Sequence, residues 1–319
     1  MKNKDINEQY LMKLRSHRTI YLLGFIISLI ITLFKPIFSL AFICFCIAMI
    51  INCILEISAK KQVKISQDIE YEERKKRRED FLNQKRAEFS SELSSIPKVV
   101  IDKSNDKIKR QLVSDMPEIN FSNITRSTVL EKIFPLVCID VETTGLQVRG
   151  NDIIEVSAIK YGIGFKPISC FSTLLKPRKP IPPEASQVNN ITDDMVKDSP
   201  SFSSIAASFS EYISGCNIVG HNLMFDLRFL FVSGATLPSK VRYFDTLDLA
   251  KKTLKTYGKK KYDYRNNEYI EDDEYDVYDY KLETLCEYYS IFRDDAHRSL
   301  SDCFATVKVF KNIIDDKIS

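Results

Sequence analysis

Residues 138–146 read C-I-D-V-E-T-T-G-L, and this stretch limits the possible folds more than any other. The apolar run Leu136–Val141 reads as a buried strand that ends in a Thr-Thr-Gly turn. Side chains along a strand alternate between faces, so Asp140 and Glu142 project from the same face and can reach one point in space. Two like charges held there are costly, and a divalent cation with hard oxygen ligands is the usual remedy. A lone D-x-E also occurs on solvated strand ends, so further ligands must come from elsewhere in the chain.

Two later stretches supply candidates. Residues 219–226 read V-G-H-N-L-M-F-D and follow the short strand expected at Cys216–Gly220, which places Asp226 where a helix opens at a sheet edge. An ordinary helix cap is the competing role for Asp226. Residues 296–305 read A-H-R-S-L-S-D-C-F-A, with Asp302 on a helix expected from about Ser299 to Ile314 and His297 just before it. Strands are expected over Asp152–Gly162 and Ile168–Leu175, and a helix over Ser203–Ile213.

The charge distribution separates the two parts of the chain. Residues 1–127 hold 22 Lys+Arg against 15 Asp+Glu, whereas residues 128–319 hold 24 against 28. The eight cysteines show no C-x-x-C spacing, which speaks for reduced thiols rather than a disulfide framework or a zinc site. Residues 1–18 form a basic amino terminus, and residues 19–57 hold two apolar runs, Thr19–Phe34 and Ile37–Ile57, interrupted by Lys35 and Pro36. At 1.5 Å per residue these span about 24 and 31 Å against a hydrocarbon core of roughly 30 Å. The expectation is a two-helix transmembrane hairpin with both ends cytoplasmic, because basic residues flank its outer ends. No small-x-small cleavage site precedes Lys35, which argues against a signal peptide. A charged helical stalk is expected over 58–96. It carries the run Arg74–Arg78, either as a contact for anionic lipid or nucleic acid or simply as a solvated face. A linker over 97–127 then leads to a domain over 128–319.

Taken in order, D-x-E-T-T-G-L, H-N-x-x-F-D and H-x-x-x-x-D resemble the signature of the DEDDh, or DnaQ-like, family of 3′-to-5′ exonucleases. The resemblance covers about residues 134–316. It implies an RNase H-like α/β fold, a mixed five-stranded sheet flanked by helices. It also implies two Mg²⁺ or Mn²⁺ ions per site: Asp140, Glu142 and Asp302 for one, Asp140 and Asp226 for the other, with His297 as general base. An imidazole suits base duty because it titrates near neutrality. Thr143, Thr144, Leu146 and Asn222 become candidate contacts to the substrate, and His221 is expected to hold a loop.

The expected activity is membrane-anchored hydrolysis of single-stranded DNA or RNA 3′ ends to nucleoside 5′-monophosphates. A catalytically inactive, membrane-tethered binding module is the alternative. Residues 251–279 exceed what the family needs at that connection and mix lysines, tyrosines and an acidic run. A polar surface hairpin is the simpler account of them, and a base-stacking surface the other.

Overall fold

The computed structural model describes residues 20–30, 39–103, 110–258, 260–263, 265, 268–271, 275–293 and 297–318. The chain divides into two compact units, Met1–Asn83 and Gln84–Ser319.

In the first unit residues 20–30 are helical, and a long helix, α1 (Ser39–Ser94), begins there and runs on past its end. The rings of Phe25 and Phe45 stack at 5.9 Å. The basic segment expected over 1–18 and the turn at Lys35 and Pro36 lie outside the described residues. Among the described residues no helix is long and apolar enough to cross a membrane. The expected hairpin of two spans therefore has no counterpart there. The first apolar run is described only over its helical residues 20–30, and α1 carries its apolar run directly into Lys60, Lys61 and Lys64.

The second unit is built on a five-stranded sheet. Its strands are β1 (Leu136–Thr143), β2 (Ile153–Gly162), β3 (Lys166–Leu174), β4 (Asn217–Gly220) and β5 (Tyr243–Asp245), in the order β3-β2-β1-β4-β5. The first three pair antiparallel, and β4 and β5 join β1 in parallel. This is the mixed α/β sheet expected from the sequence. Parallel neighbours need crossovers, and the helices α2 (Phe202–Ile213) and α3 (Leu223–Val232) provide them.

The alternation of β1 assigns its two faces. Val137, Ile139 and Val141 join a core with Phe209 of α2 and Leu227 and Leu230 of α3. Leu136 and Cys138 face the opposite core, formed with Cys303, Phe304, Val307 and Phe310 of the last helix, α6 (Ser299–Ile318). Between α3 and α6 lie α4 (Thr246–Lys251) and α5 (Leu282–Tyr288). Each apolar face of the sheet is thus covered by a helical layer, which removes it from water.

Two expectations about the segment before the sheet change. The stalk does not stay solvated to its end, because Phe89 and Ile96 are buried in the α6-side core and the Phe89 ring meets Phe304 edge-on at 5.3 Å. Over its described residues, 97–103 and 110–127, the expected linker is a strap rather than a free tether. Val99 N–H donates to the Cys170 carbonyl at β3, and Ser122 N–H donates to the Tyr243 carbonyl at β5. Both outer strands thereby gain partners for exposed edge groups, and Val99, Ile101, Met116, Ile119 and Phe121 pack on the α2–α3 core. These apolar residues are spaced too irregularly for a helical or strand pattern. Within 251–279, strands Lys260–Asp263 and Glu268–Glu271 pair antiparallel.

Candidate active site

Asp140 and Glu142 continue the Leu136–Cys138 face of β1, so they point toward α6. They are the two half-buried positions of an otherwise buried strand. Asp302 lies in the first turn of α6, on the helix layer that covers that face. Carboxylate oxygens of Asp140, Glu142 and Asp302 come within 4.8 Å of one another. The i, i+2 geometry of a strand and one turn of helix are enough to create this cluster.

Asp226 approaches from the other side. The pairing of β1 with β4 stops at Cys138 and Val219, which leaves the later amides of β1 without a strand partner on that edge. Asp226 Oδ1 accepts the Val141 N–H at 2.9 Å and so takes the place of the missing strand. Asp226 stands within the first turn of α3 and does not cap it. The carboxylate at that helix start is Asp245, which accepts from Asn222 N–H at 2.9 Å and Leu223 N–H at 3.1 Å. Asn222 itself sits at φ 57°, which turns the chain out of β4 into α3.

Four carboxylates so close together resist ionisation. Burial, followed by the charges of Asp226, Asp302 and Glu142, pushes Asp140 well above the usual range. Burial and the Asp302 charge push Glu142 up to about 9. Burial also raises Asp226, against its hydrogen bond from Val141. Asp302 is raised by burial as well, while hydrogen bonds from Arg293 pull the other way. Such a cluster is stable when cations supply the missing positive charge, and an all-carboxylate set suits Mg²⁺ or Mn²⁺ rather than a softer metal. The residues therefore fit the divalent ions expected.

A cavity of about 690 Å³ opens over the cluster, and Asp140, Asp302, His297, His221 and Asn222 line it. His297 is exposed at φ 64°, in the turn just before α6. His221 hydrogen-bonds Thr246 Oγ1 at 2.9 Å, which ties β4 to the start of α4 in the loop-holding role expected. Burial, reinforced by the Arg293 charge, lowers its pKa to about 4, so it is neutral at pH 7.

Of the candidate substrate contacts, Asn222 lies on the cavity and Leu146 is 85% exposed at the tip of the turn after β1. Thr143 and Thr144 are buried. Thr143 Oγ1 donates to the Gly145 carbonyl at 2.8 Å, and Thr144 Oγ1 accepts from Asp152 N–H at 3.0 Å. The Thr144 N–H is committed to the Asp152 carbonyl, so these threonines shape the turn from within.

Three residues that sequence reasoning missed support the cluster. Arg293 donates from Nε to Asp302 Oδ1 at 2.6 Å and from Nη2 to Oδ2 at 2.7 Å. Glu155 stands opposite Glu142 in the β1–β2 register and accepts Arg298 Nη2 at 2.7 Å and Ser299 N–H at 2.9 Å. A charge within the apolar strand I-I-E-V was the available signal for Glu155. No pattern marks Arg293.

The sequence pattern of the exonuclease family (RNase_T) matches residues 137–310, more than half of the chain, and takes in Asp140, Glu142, Asp226, His297 and Asp302. The chain belongs to the exonuclease family. DNA polymerase III subunit epsilon of Treponema pallidum is 31% identical over 181 residues, covering 55% of this chain and 74% of the relative. The PolC-type DNA polymerase III of Caldanaerobacter subterraneus subsp. tengcongensis is 29% identical over 181 residues, covering 56% of this chain but only 11% of that much longer relative. Among solved structures, exonuclease X in complex with 5′ overhanging duplex DNA aligns with a TM-score of 0.39 at 24% identity, over 56% of this chain and 91% of that one. The exonuclease domain is thus homologous to the epsilon subunit, and in this chain it follows an amino-terminal unit that the family match does not reach.

Proposed function

We propose that the chain is a 3′-to-5′ exonuclease that removes nucleoside 5′-monophosphates from single-stranded DNA. The observation that carries this reading is the gathering of Asp140, Glu142 and Asp302 within 4.8 Å beneath a cavity that His297 also lines. Asp140, Glu142 and Asp302 would hold one Mg²⁺ or Mn²⁺, and Asp140 with Asp226 a second. Ions so held supply Lewis-acid activation of water and charge neutralisation at the scissile phosphate. His297, exposed at the cavity rim, accepts the proton of the attacking water on an imidazole nitrogen and returns it to solvent. Leu146, extended from the turn, offers an apolar surface for the terminal base, and the αL turn at Asn222 borders the same space. The relatives that support DNA over RNA are DNA polymerase III proteins.

Direction and substrate are tested together with the full chain. A 5′-labelled DNA single strand should shorten in single-nucleotide steps, while the matched RNA strand shortens far more slowly. Release of the 5′ label as a mononucleotide would refute the polarity, and RNA degraded at the rate of DNA would refute the choice of substrate.

Location is a separate part of this proposal. Ile47, Ile50, Ile54 and Ile57 follow helical spacing along α1 and are each more than half exposed. An apolar stripe of this kind favours contact with a membrane, with the exonuclease domain on the cytoplasmic side. Full chain that fractionates wholly with soluble protein would refute it.

A further inference from the structure

Arg293 stands where a cation is needed, four residues before the cavity histidine. Its side chain is only 9% exposed and its fork spans both oxygens of Asp302, which is 8% exposed. It lines the cavity beside Asp140 and Asp302. Its charge is felt beyond that pair, since it acts on Glu142 and on His221 as well. The guanidinium therefore sits among the carboxylates and partly offsets their repulsion.

Two roles are possible for an arginine on a metal-binding carboxylate. It can orient the ligand from behind, in which case removing it weakens metal binding. It can instead share the face from which the ion approaches, in which case the two cations compete. The position on the cavity wall, the bidentate use of both Asp302 oxygens and the reach of its charge to Glu142 favour competition. A divalent ion beside a guanidinium at this range meets substantial repulsion in a partly desolvated site.

We infer that Arg293 is a built-in competitor for the metal: it holds Asp302 through both oxygens, and a divalent ion must displace at least one of those hydrogen bonds to bind. Arg293 thereby sets the metal concentration at which the site loads. The displaced guanidinium remains in the cavity, where its planar fork matches the non-bridging oxygens of a phosphodiester. This inference rests on reading the three carboxylates as a metal site.

Calorimetric titration of the full chain with Mn²⁺ tests it without any assay of activity. Arg293→Gln should bind Mn²⁺ about tenfold more tightly than the wild type, because the competing charge is gone. Arg293→Lys retains the charge and should stay within about threefold of the wild type. Unchanged or weaker binding by the glutamine variant would overturn the inference and leave Arg293 as a supporting residue. Equal tightening by lysine and glutamine would overturn it too, because charge would not be the cause.

A measurement on the wild type covers the case of a variant that fails to fold. In nitrogen-15-edited spectra the Arg293 Nε–H and Nη2–H, both protected by Asp302, should not both keep that protection when Mg²⁺ is added. Protection that persists at both groups at saturating Mg²⁺ overturns the proposal. A wild-type chain that binds no Mn²⁺ refutes the metal-site reading along with it. A chain that binds Mn²⁺ and degrades DNA, yet has an arginine variant of ordinary affinity, refutes this inference alone.

Discussion

Arg298→Met separates the role of the Glu155 clamp from that of the carboxylates it supports. Glu155 is buried to 4% exposure directly across from Glu142, and its charge is balanced by the Arg298 guanidinium and the Ser299 N–H. Methionine keeps an apolar stem out to about the Nε position and removes the guanidinium hydrogen bonds to Glu155. Breaking one side of a fully buried ion pair costs about 3–5 kcal/mol, but Arg298 is 36% exposed, so water recovers part of that and about 2 kcal/mol is expected. For a unit of this size, each kcal/mol moves the melting temperature by about 2–4 °C, which gives a drop of about 6 °C. Circular-dichroism melts of the full chain at pH 7 measure this directly. The double variant Glu155→Gln/Arg298→Met removes the stranded charge and should melt above Arg298→Met alone. The start of α6 also carries Asp302 and follows His297, so kcat of Arg298→Met should fall about tenfold, a small displacement being enough to disturb catalytic geometry. A single variant that melts within about 1 °C of the wild type, or a double variant less stable than the single one, would refute the clamp.

Three further predictions concern the same site. Glu142, raised to about 9 mainly by burial, binds a proton in the folded chain that the unfolded chain loses near the ordinary 4.5. That contribution to stability is complete below the lower value and is lost as pH rises through the upper one, so melting in chelator should fall toward pH 9 and Glu142→Gln should flatten the decline; a melting temperature that rises with pH in that range would contradict this. His221 has the opposite sign, since its pKa is lowered to about 4 from 6.5: its contribution of about 3 kcal/mol is lost as pH falls from about 6.5 to 4, and unchanged acid stability in His221→Gln would contradict it. In Gly220→Ala the added Cβ would lie 2.7 Å from Leu223 Cδ1 and 3.3 Å from the Ile139 carbonyl; overpacking of about 2 kcal/mol should appear in chemical denaturation, and a neutral result would show that α3 can shift.

The strands and helices around the carboxylates were legible because each carries a regular apolar pattern. The strand through Leu136–Val141, the helix beginning near Ser203 and the helix beginning at Ser299 all stand where the sequence places them. Asp140, Glu142 and Asp302 were legible as partners through an ordered motif. Their actual convergence depends on which face of β1 α6 covers, and only the tertiary structure shows that. Arg293 and Arg298 were not legible, because a basic residue in a loop looks the same whether it faces water or a buried carboxylate. The strap after Pro97 was misread as a linker for a related reason. Its polar composition hides a few apolar side chains and backbone groups that complete the sheet edges. The apolar amino-terminal runs show the reverse problem, since hydropathy alone suggested spans that have no counterpart among the described residues.

The most direct test of the central claim is the Mn²⁺-dependent release of a 3′-terminal labelled nucleotide from single-stranded DNA by the full chain and by its Asp140→Asn variant. The variant keeps the shape of the side chain and removes the charge that two ions would share, and a loss of about 10³-fold or more in kcat/KM is expected, as for removal of an electrostatic stabiliser of the transition state. Wild type should release nucleoside monophosphate with Mn²⁺ and stop in chelator. Equal release by wild type and variant, or release undiminished by chelator, would contradict a reaction run by the Asp140, Glu142 and Asp302 cluster.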